Sequence, residues 1–480
     1  MLTFGRFVRM CAMPRLTLAI ATVALLVGVG LAIVGESPAG ARGAAPAELG
    51  PCPEKVRPKK LRCGRLSVPL ERADPALGSI AIRFAVRSRS HLDRPSAGTI
   101  FAVEGGPGYG SIPSSRYYIH MLGRLLDRRE LVLVDMRGTG HSQAIDCPAL
   151  QEGRGSDARG VARCARVLGP TFGSYRTSAA ADDLDAVRAA LGVERIDLYG
   201  DSYGTYLAQS YAFRHGETLD ALVLDSAYPL RGESGWYPSL IRTGIRSLSI
   251  ACRRRPFHCH GNAGARLRRV VRALRGTRRG AGPLLNAIGS GGYEPPLRNY
   301  TKINTVISRY LAGDRRPYVR LTRAYDQGYG HYRYYSRGDE LAVSCNDYPM
   351  LWDKAASERE RERQLEAAVR TYPKGAFRPF TPREVAFGSF SVYRECRRWP
   401  QPTELYEPPA PPGAEAPAVP TLVIEGELDN VTSVAEARMV AADFPDSRLR
   451  VVRSAGHVPS LYGGRYPARE WVREFLRRHG

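Results

Sequence analysis

The chain has 480 residues, 43% of them hydrophobic and 24% charged, with 70 Lys and Arg against 47 Asp and Glu and a formal net charge of +23. That length exceeds what one compact hydrophobic core usually holds, which excludes a single small domain and predicts a core carrying an inserted second domain. The basic excess is almost entirely arginine, clustered at Arg253-Arg254-Arg255 and from Arg266 to Arg279; no nucleic-acid motif accompanies it, so these runs read as solvated helix faces whose one expected contact is electrostatic, with an anionic cell envelope.

At the N-terminus, Arg6, Arg9 and Arg15 precede an apolar run from Leu16 to Val34 and the small-residue stretch Ser37-Pro38-Ala39-Gly40-Ala41. This predicts a secretory signal peptide over residues 1–41, with an uncleaved anchor as the alternative because the run is long. The arginines are unpaired, against a twin-arginine signal, and Cys11 lies ahead of the apolar run, where a lipoprotein cysteine would not be. Loss of Cys11 with the signal leaves Cys52, Cys63, Cys147, Cys164, Cys252, Cys259, Cys345 and Cys396. An even set of this kind predicts disulfides and a secreted or envelope-associated, extracytoplasmic protein. Pairing in chain order is the simplest connectivity; the spacing leaves others open.

From residue 52 onward, strand-like runs at Ile80 to Val86, Thr99 to Val103 and Leu131 to Asp135 precede a helix predicted over Ser178 to Leu191. The alternation is that of a doubly wound, mostly parallel sheet. The run at Thr99 leads into Glu104-Gly105-Gly106-Pro107-Gly108, a turn whose backbone can approach a substrate and donate a hydrogen bond. Ile196 to Tyr199 then leads into Gly200-Asp201-Ser202-Tyr203-Gly204 and a helix over Thr205 to His215. Small residues two before and two after Ser202 permit a sharp strand-to-helix turn, which lifts the serine oxygen above the sheet and aims the Tyr203 amide at a developing oxyanion. Gly105, Gly106 and Tyr203 are therefore the expected oxyanion hole.

One more strand, Ala221 to Leu224, closes the first part of the core at residue 229. Strand rhythm then stops until Pro420, so residues 230–410 form the expected cap, mainly helical, with a charged helix over Ser357 to Val369. Tyrosines crowd between Tyr293 and Tyr348, as packing aromatics or as walls of a cleft between cap and core. Pro256-Phe257-His258-Cys259-His260 imitates a metal site but has no second ligand pair, and no metal or other cofactor is expected. A proline-rich connector, Pro408 to Pro420, returns the chain to the second part of the core, residues 411–480. There the strand Thr421 to Glu425 places Asp429 just past its end, and the strand Leu449 to Val452 leads to Ser454-Ala455-Gly456-His457-Val458-Pro459. The order Ser202, Asp429, His457 is that of nucleophile, orienting acid and base on an α/β-hydrolase sheet. Glu425, Glu427 and Asp225 are rival acids less suitably placed.

The ordered set of Gly105-Gly106-Pro107-Gly108, Asp135-Met136-Arg137-Gly138-Thr139-Gly140-His141-Ser142, the Gly-Asp-Ser-Tyr-Gly-Thr elbow, Asp429 and Gly456-His457 resembles the α/β-hydrolase peptidases of the prolyl iminopeptidase class, and within it the secreted tripeptidyl aminopeptidases of actinobacteria. The chain departs from the prolyl iminopeptidases at Glu104, where they usually carry histidine. The resemblance implies an α/β-hydrolase fold with a helical cap, and it implies that Asp135 and Arg137 are a structural strand-end pair. It also implies a serine peptidase that releases short, tripeptide-type N-terminal peptides through an acyl-enzyme. An aminopeptidase must hold a free ammonium, for which Glu340 and Asp347 are the expected anchors. Two alternatives stand beside this reading. A carboxylesterase or lipase would use the same triad on an ester, and a non-catalytic envelope-binding protein would use only the fold.

Overall fold

The computed structural model describes residues 48–53, 60–152, 158–256, 259, 261–323, 329–388, 392–462 and 466–480. The signal-peptide reading of residues 1–41 lies outside the described residues, as do His258 and His260 of the histidine-cysteine segment. The strands are β1 (Gly50–Pro51), β2 (Arg62–Pro69), β3 (Ser79–Arg87), β4 (Thr99–Val103), β5 (Glu130–Asp135), β6 (Ile196–Asp201), β7 (Leu219–Asp225), β8 (Thr421–Gly426) and β9 (Ser447–Val452). They form one sheet in the order β1-β2-β3-β5-β4-β6-β7-β8-β9. Pairing is antiparallel from β1 through β3 to β5 and parallel from β5 to β9.

The central parallel strands β4 to β8 are buried at consecutive positions because both faces of the sheet are covered there. Leu131 and Leu133 of β5 pack on one face, with Tyr118 and Met121 of α1 (Ser115–Leu122) and with Val472 and Leu476 of the C-terminal helix. Val132 and Val134 point to the other face, against Leu184 and Val187 of α2 (Thr177–Ala190) and Leu207 of α3 (Tyr203–His215). The fold is thus a mostly parallel α/β-hydrolase sheet wrapped by helices on two sides.

β1 and β2 have no counterpart in the sequence reading. β2 buries only Gly64 and Val68 and contains Arg62 and Arg65, so it shows no apolar run; pairing along its whole length with β3 is what makes it a strand. Gly64 is required there, because a Cβ at that position would lie 2.2 Å from the Phe84 ring.

Between β7 and β8 the described residues contain no strand. The segment runs through α4 (Pro238–Arg254), α5 (Ala263–Arg275), α6 (Gly282–Gly289), α7 (Pro296–Leu311), α8 (Arg316–Arg323), α9 (Arg337–Asp347) and α10 (Glu358–Thr371) before two short turns of helix. It is tied to the loops at the strand ends. Tyr300 of α7 donates to Asn430 Oδ1 at 2.9 Å, Arg254 of α4 pairs with Glu427 at 2.8 Å, and Ser336 N donates to Gly108 O at 2.9 Å. In α5, Leu267, Val270, Val271 and Leu274 are buried while Arg268, Arg269, Arg272 and Arg275 are exposed, an amphipathic helix with a solvated basic face.

The cysteines pair in chain order as Cys52–Cys63, Cys147–Cys164, Cys252–Cys259 and Cys345–Cys396. Among the described residues no helix is long and apolar enough to cross a membrane.

Candidate active site

The turn between β6 and α3 holds Ser202 at φ 53°, ψ −124°, in the positive-φ region that a side chain rarely occupies. Two glycines make the turn possible. A Cβ on Gly200 would lie 2.3 Å from Gly204 O, and one on Gly204 would lie 2.4 Å from Val103 O at the end of β4. The serine is thereby pushed out of the sheet edge.

His457 follows β9, and its backbone N–H donates to Gly292 O at 2.9 Å, which fixes the loop against the helical segment. The imidazole lies between two partners, with Nε2 2.9 Å from Ser202 Oγ and Nδ1 2.7 Å from Asp429 Oδ2. The Tyr293 ring stands perpendicular to it at 5.4 Å. Asp429 is fully buried and hydrogen-bonded on both oxygens. Oδ1 accepts from the Val431 and Thr432 amides at 2.8 and 3.1 Å, and Oδ2 accepts from the Ser226 and Thr432 hydroxyls, both at 2.9 Å, as well as from His457. Burial pushes this carboxyl up, but the attraction and hydrogen bond of His457, with those of its other neighbours, outweigh burial and hold it below the ordinary aspartate value. An ionised Asp429 fixes the imidazole with Nδ1–H toward itself and leaves Nε2 free to accept the serine proton.

The rival acids are occupied elsewhere. Asp225 accepts from Tyr199 Oη and from the Ser460 backbone and hydroxyl, and burial raises its carboxyl to about 6. Glu427 is paired with Arg254. Glu425 is fully buried, and burial followed by the neighbouring Asp429 pushes it well above the ordinary glutamate range. Ser226 and Thr432 were not singled out by the sequence reading. Thr432 carried a usable signal, since a threonine three residues after an aspartate in a turn is placed to donate back to it. Ser226 carried none, because it reaches Asp429 across 203 positions of sequence.

Gly105 and Gly106 come close to the serine. A Cβ on Gly105 would lie 2.6 Å from Ser202 Cβ and 3.1 Å from Ser202 Oγ, and Gly106 sits at φ 115°. Asp135 and Arg137 are structural, as the resemblance implies, and each bonds to neighbouring loops and not to the other. Asp135 accepts from the Ile112 and His141 amides at 2.9 and 2.8 Å, while Arg137 forks onto Asp183 at 2.7 and 2.8 Å and donates to Leu70 O and Ser174 O. Each ties a different set of loops, because the β5 end turns the two side chains apart.

Two chambers meet at Ser202. One of about 220 Å³ is apolar and bounded by Trp236, Leu240, Ile241, Leu285, Val392 and Tyr393 beside Gly106 and Tyr203. The other, about 1030 Å³, contains His457, Tyr109, Tyr293, Glu294, Tyr335 and Tyr466. Glu340 borders both. It pairs with Arg337, which also forks onto Glu395 at 2.7 and 2.8 Å, and it accepts from Tyr335 Oη. Asp347 borders neither chamber. Its oxygens are held by the Thr177 amide at 2.7 Å, the Thr177 hydroxyl at 2.5 Å and Tyr406 Oη at 3.3 Å, so the structure turns this expected anchor into a buried link between α9 and α2. Among the described residues no group of three or more His, Cys, Asp or Glu side chains could hold a metal ion.

Residues 98–245 match the family described as alpha/beta hydrolase fold. The chain has the α/β-hydrolase fold. Residues 384–479 match the family described as TAP-like protein. It is 31% identical over 208 residues to the serine protease Hip1 of Mycobacterium tuberculosis, covering 38% of this chain and 39% of the relative. It is 27% identical over 202 residues to the tripeptidyl aminopeptidase of Streptomyces lividans, covering 38% of each. The chain thus spans about two fifths of the length of the curated relatives it matches. The crystal structure of a Mycobacterium smegmatis proline iminopeptidase covers 86% of this chain and 98% of its own at 16% identity, with a TM-score of 0.39.

Proposed function

We propose that this α/β hydrolase is an exported serine peptidase that releases short peptides from free N-termini through an acyl-enzyme on Ser202. The observation that carries the reading is the unbroken chain from Ser202 Oγ to His457 Nε2 at 2.9 Å and from His457 Nδ1 to Asp429 at 2.7 Å. His457 takes the serine proton as Oγ attacks the carbonyl carbon. The oxyanion forms against the Tyr203 amide and the Gly105-Gly106 backbone. His457 then returns the proton to the leaving amine, and water repeats the sequence to free the acyl group. Asp429 keeps the imidazole in the required tautomer throughout.

The two chambers give the site a direction. A leaving group must lie beside the imidazole that protonates it, and His457 borders only the larger chamber. The acyl part therefore points into the smaller, apolar one, and a polypeptide leaving group has the larger space. Glu340 stands where the two join. Arg337 faces both Glu340 and Glu395, so one cation is set against two carboxyls at this edge, which favours a substrate ammonium there. Export is supported by the four disulfides, and the exposed arginines of α5 supply the envelope contact.

The test is a matched panel of free and N-acetylated aminoacyl and tripeptidyl anilides with short-chain nitrophenyl esters, run on the protein and on Ser202→Ala. Turnover of free tripeptidyl anilides that disappears on acetylation and on loss of Ser202 is the expected result. Ester turnover alone would make the protein an esterase and leave the ammonium site at Glu340 without a purpose.

A further inference from the structure

Glu104 and Asp201 each stand one residue ahead of the machinery just described, Glu104 before Gly105 and Asp201 before Ser202. Both are buried, 7% and 1% exposed. Tyr118 of α1 places its hydroxyl between them, 2.8 Å from Asp201 Oδ1 and 3.1 Å from Glu104 Oε2. A phenol has one proton to donate. Having given it to one carboxylate, its oxygen meets the second carboxyl favourably only by accepting a proton from it.

The groups facing the pair are Tyr462, at 3.3 Å from Glu104 Oε1, Tyr117 beside it, Tyr109 from the glycine loop, Tyr199 of β6 and Asp225 of β7. None is a cation, and no ion pair among the described residues reaches either carboxyl. Burial, and then the neighbouring Glu104, hold Asp201 well above the ordinary aspartate range.

We propose that Glu104 and Asp201 share one proton at neutral pH, and that this proton fastens the glycine loop to the Ser202 turn, so that its loss sets an alkaline limit on turnover. The proposal rests on the serine-hydrolase reading for its effect on rate, and on geometry alone for the proton. Both residues are positioning residues. Once the proton leaves, two adjacent anions with no cation between them repel. The loop and the turn are in van der Waals contact at Gly105, so any separation moves the oxyanion donors off their target.

The experiment measures kcat and KM against pH, the rate of fluorophosphonate labelling at Ser202, and the infrared band of protonated carboxylic acids. It compares the full-length protein with Glu104→Gln, Glu104→Ala, Asp201→Asn and Tyr118→Phe. The unaltered protein is expected to lose kcat, with KM nearly constant, as pH rises into the alkaline range. Tyr118→Phe removes the oxygen that accepts the acid proton together with the donor to the other carboxylate, so the shared proton is held less tightly and the alkaline limb moves to lower pH. Glu104→Gln keeps a donor that cannot titrate, so the limb disappears, whereas Glu104→Ala lowers kcat at every pH by on the order of tenfold to a hundredfold, somewhat less than loss of an oxyanion donor. A carboxylic-acid band present at neutral pH is lost in Glu104→Gln and in Asp201→Asn. An alkaline limb identical in all folded variants, or a band that neither substitution removes, overturns the proposal. Should Ser202 fail to react at any pH, the hydrolase reading falls while the infrared band still decides the shared proton; should Glu104→Gln not fold, the direction of the Tyr118→Phe shift decides it.

Discussion

Ser202 is held at φ 53°, a conformation that costs of order 1–3 kcal/mol and persists only because Gly200 and Gly204 remove the side chains that would block the turn. Replacing Ser202 or His457 by alanine should lower kcat by several orders of magnitude, since members of such a triad act as a unit; retention of more than a few per cent of turnover would exclude the assigned roles. Thr432→Val removes a hydroxyl that donates to Asp429 at 2.9 Å while leaving the Thr432 amide in place. It should lower kcat by roughly tenfold, about the value of one hydrogen bond to a charged group, with KM little changed. Gly105→Ala would put a methyl 2.6 Å from Ser202 Cβ. The expected result is a folded protein, judged by its circular dichroism, that fluorophosphonate no longer labels.

At the level of elements, the helical segment decides what reaches the serine. Ile241 on α4 and Leu285 on α6 both wall the apolar chamber. Leu285→Trp should therefore suppress turnover of substrates with bulky apolar acyl groups while sparing those with glycine or alanine at that position. Equal loss across the acyl series would mean that the acyl group lies elsewhere. The helix that carries Glu340 is stapled to the short turn at Tyr393–Cys396 by Cys345–Cys396, which closes 51 residues of chain. On the loop-entropy account, replacing both cysteines by serine should cost about 4 kcal/mol of stability, read by denaturant unfolding. It should also raise KM for free N-terminal peptides more than for nitrophenyl esters, because only the former need Glu340 at a fixed place.

The whole molecule carries buried carboxyls of two kinds, and they act in different pH windows. Asp429 is held low despite its burial, so its contribution to stability is present above the unfolded aspartate value of about 3.9 and is lost as pH falls below that value. Asp135 and Asp225 are raised to about 6 by burial. Between the unfolded value and about 6 the folded protein binds more protons at these two sites than the unfolded chain does, so they subtract stability as pH rises through that window. The melting temperature should accordingly be higher near pH 4.5 than near pH 7.5, and one that rises across this interval would contradict the burial argument. The sequence by itself determined the strands β3 to β9, because apolar runs between glycine and proline breaks leave a buried strand no other place to go. It determined the turn at Ser202 and the positions of Asp429 and His457 as well, since each follows directly from where a strand ends. Only the tertiary structure decided the rest. β2 is a strand through its pairing with β3, Ser226 meets Asp429 across 203 residues, and Asp347 is turned inward to Thr177 while Glu340, on the same helix, faces the chambers. Those outcomes depend on which distant side chain a polar atom meets once water is excluded, and local pattern holds no record of a partner so far along the chain.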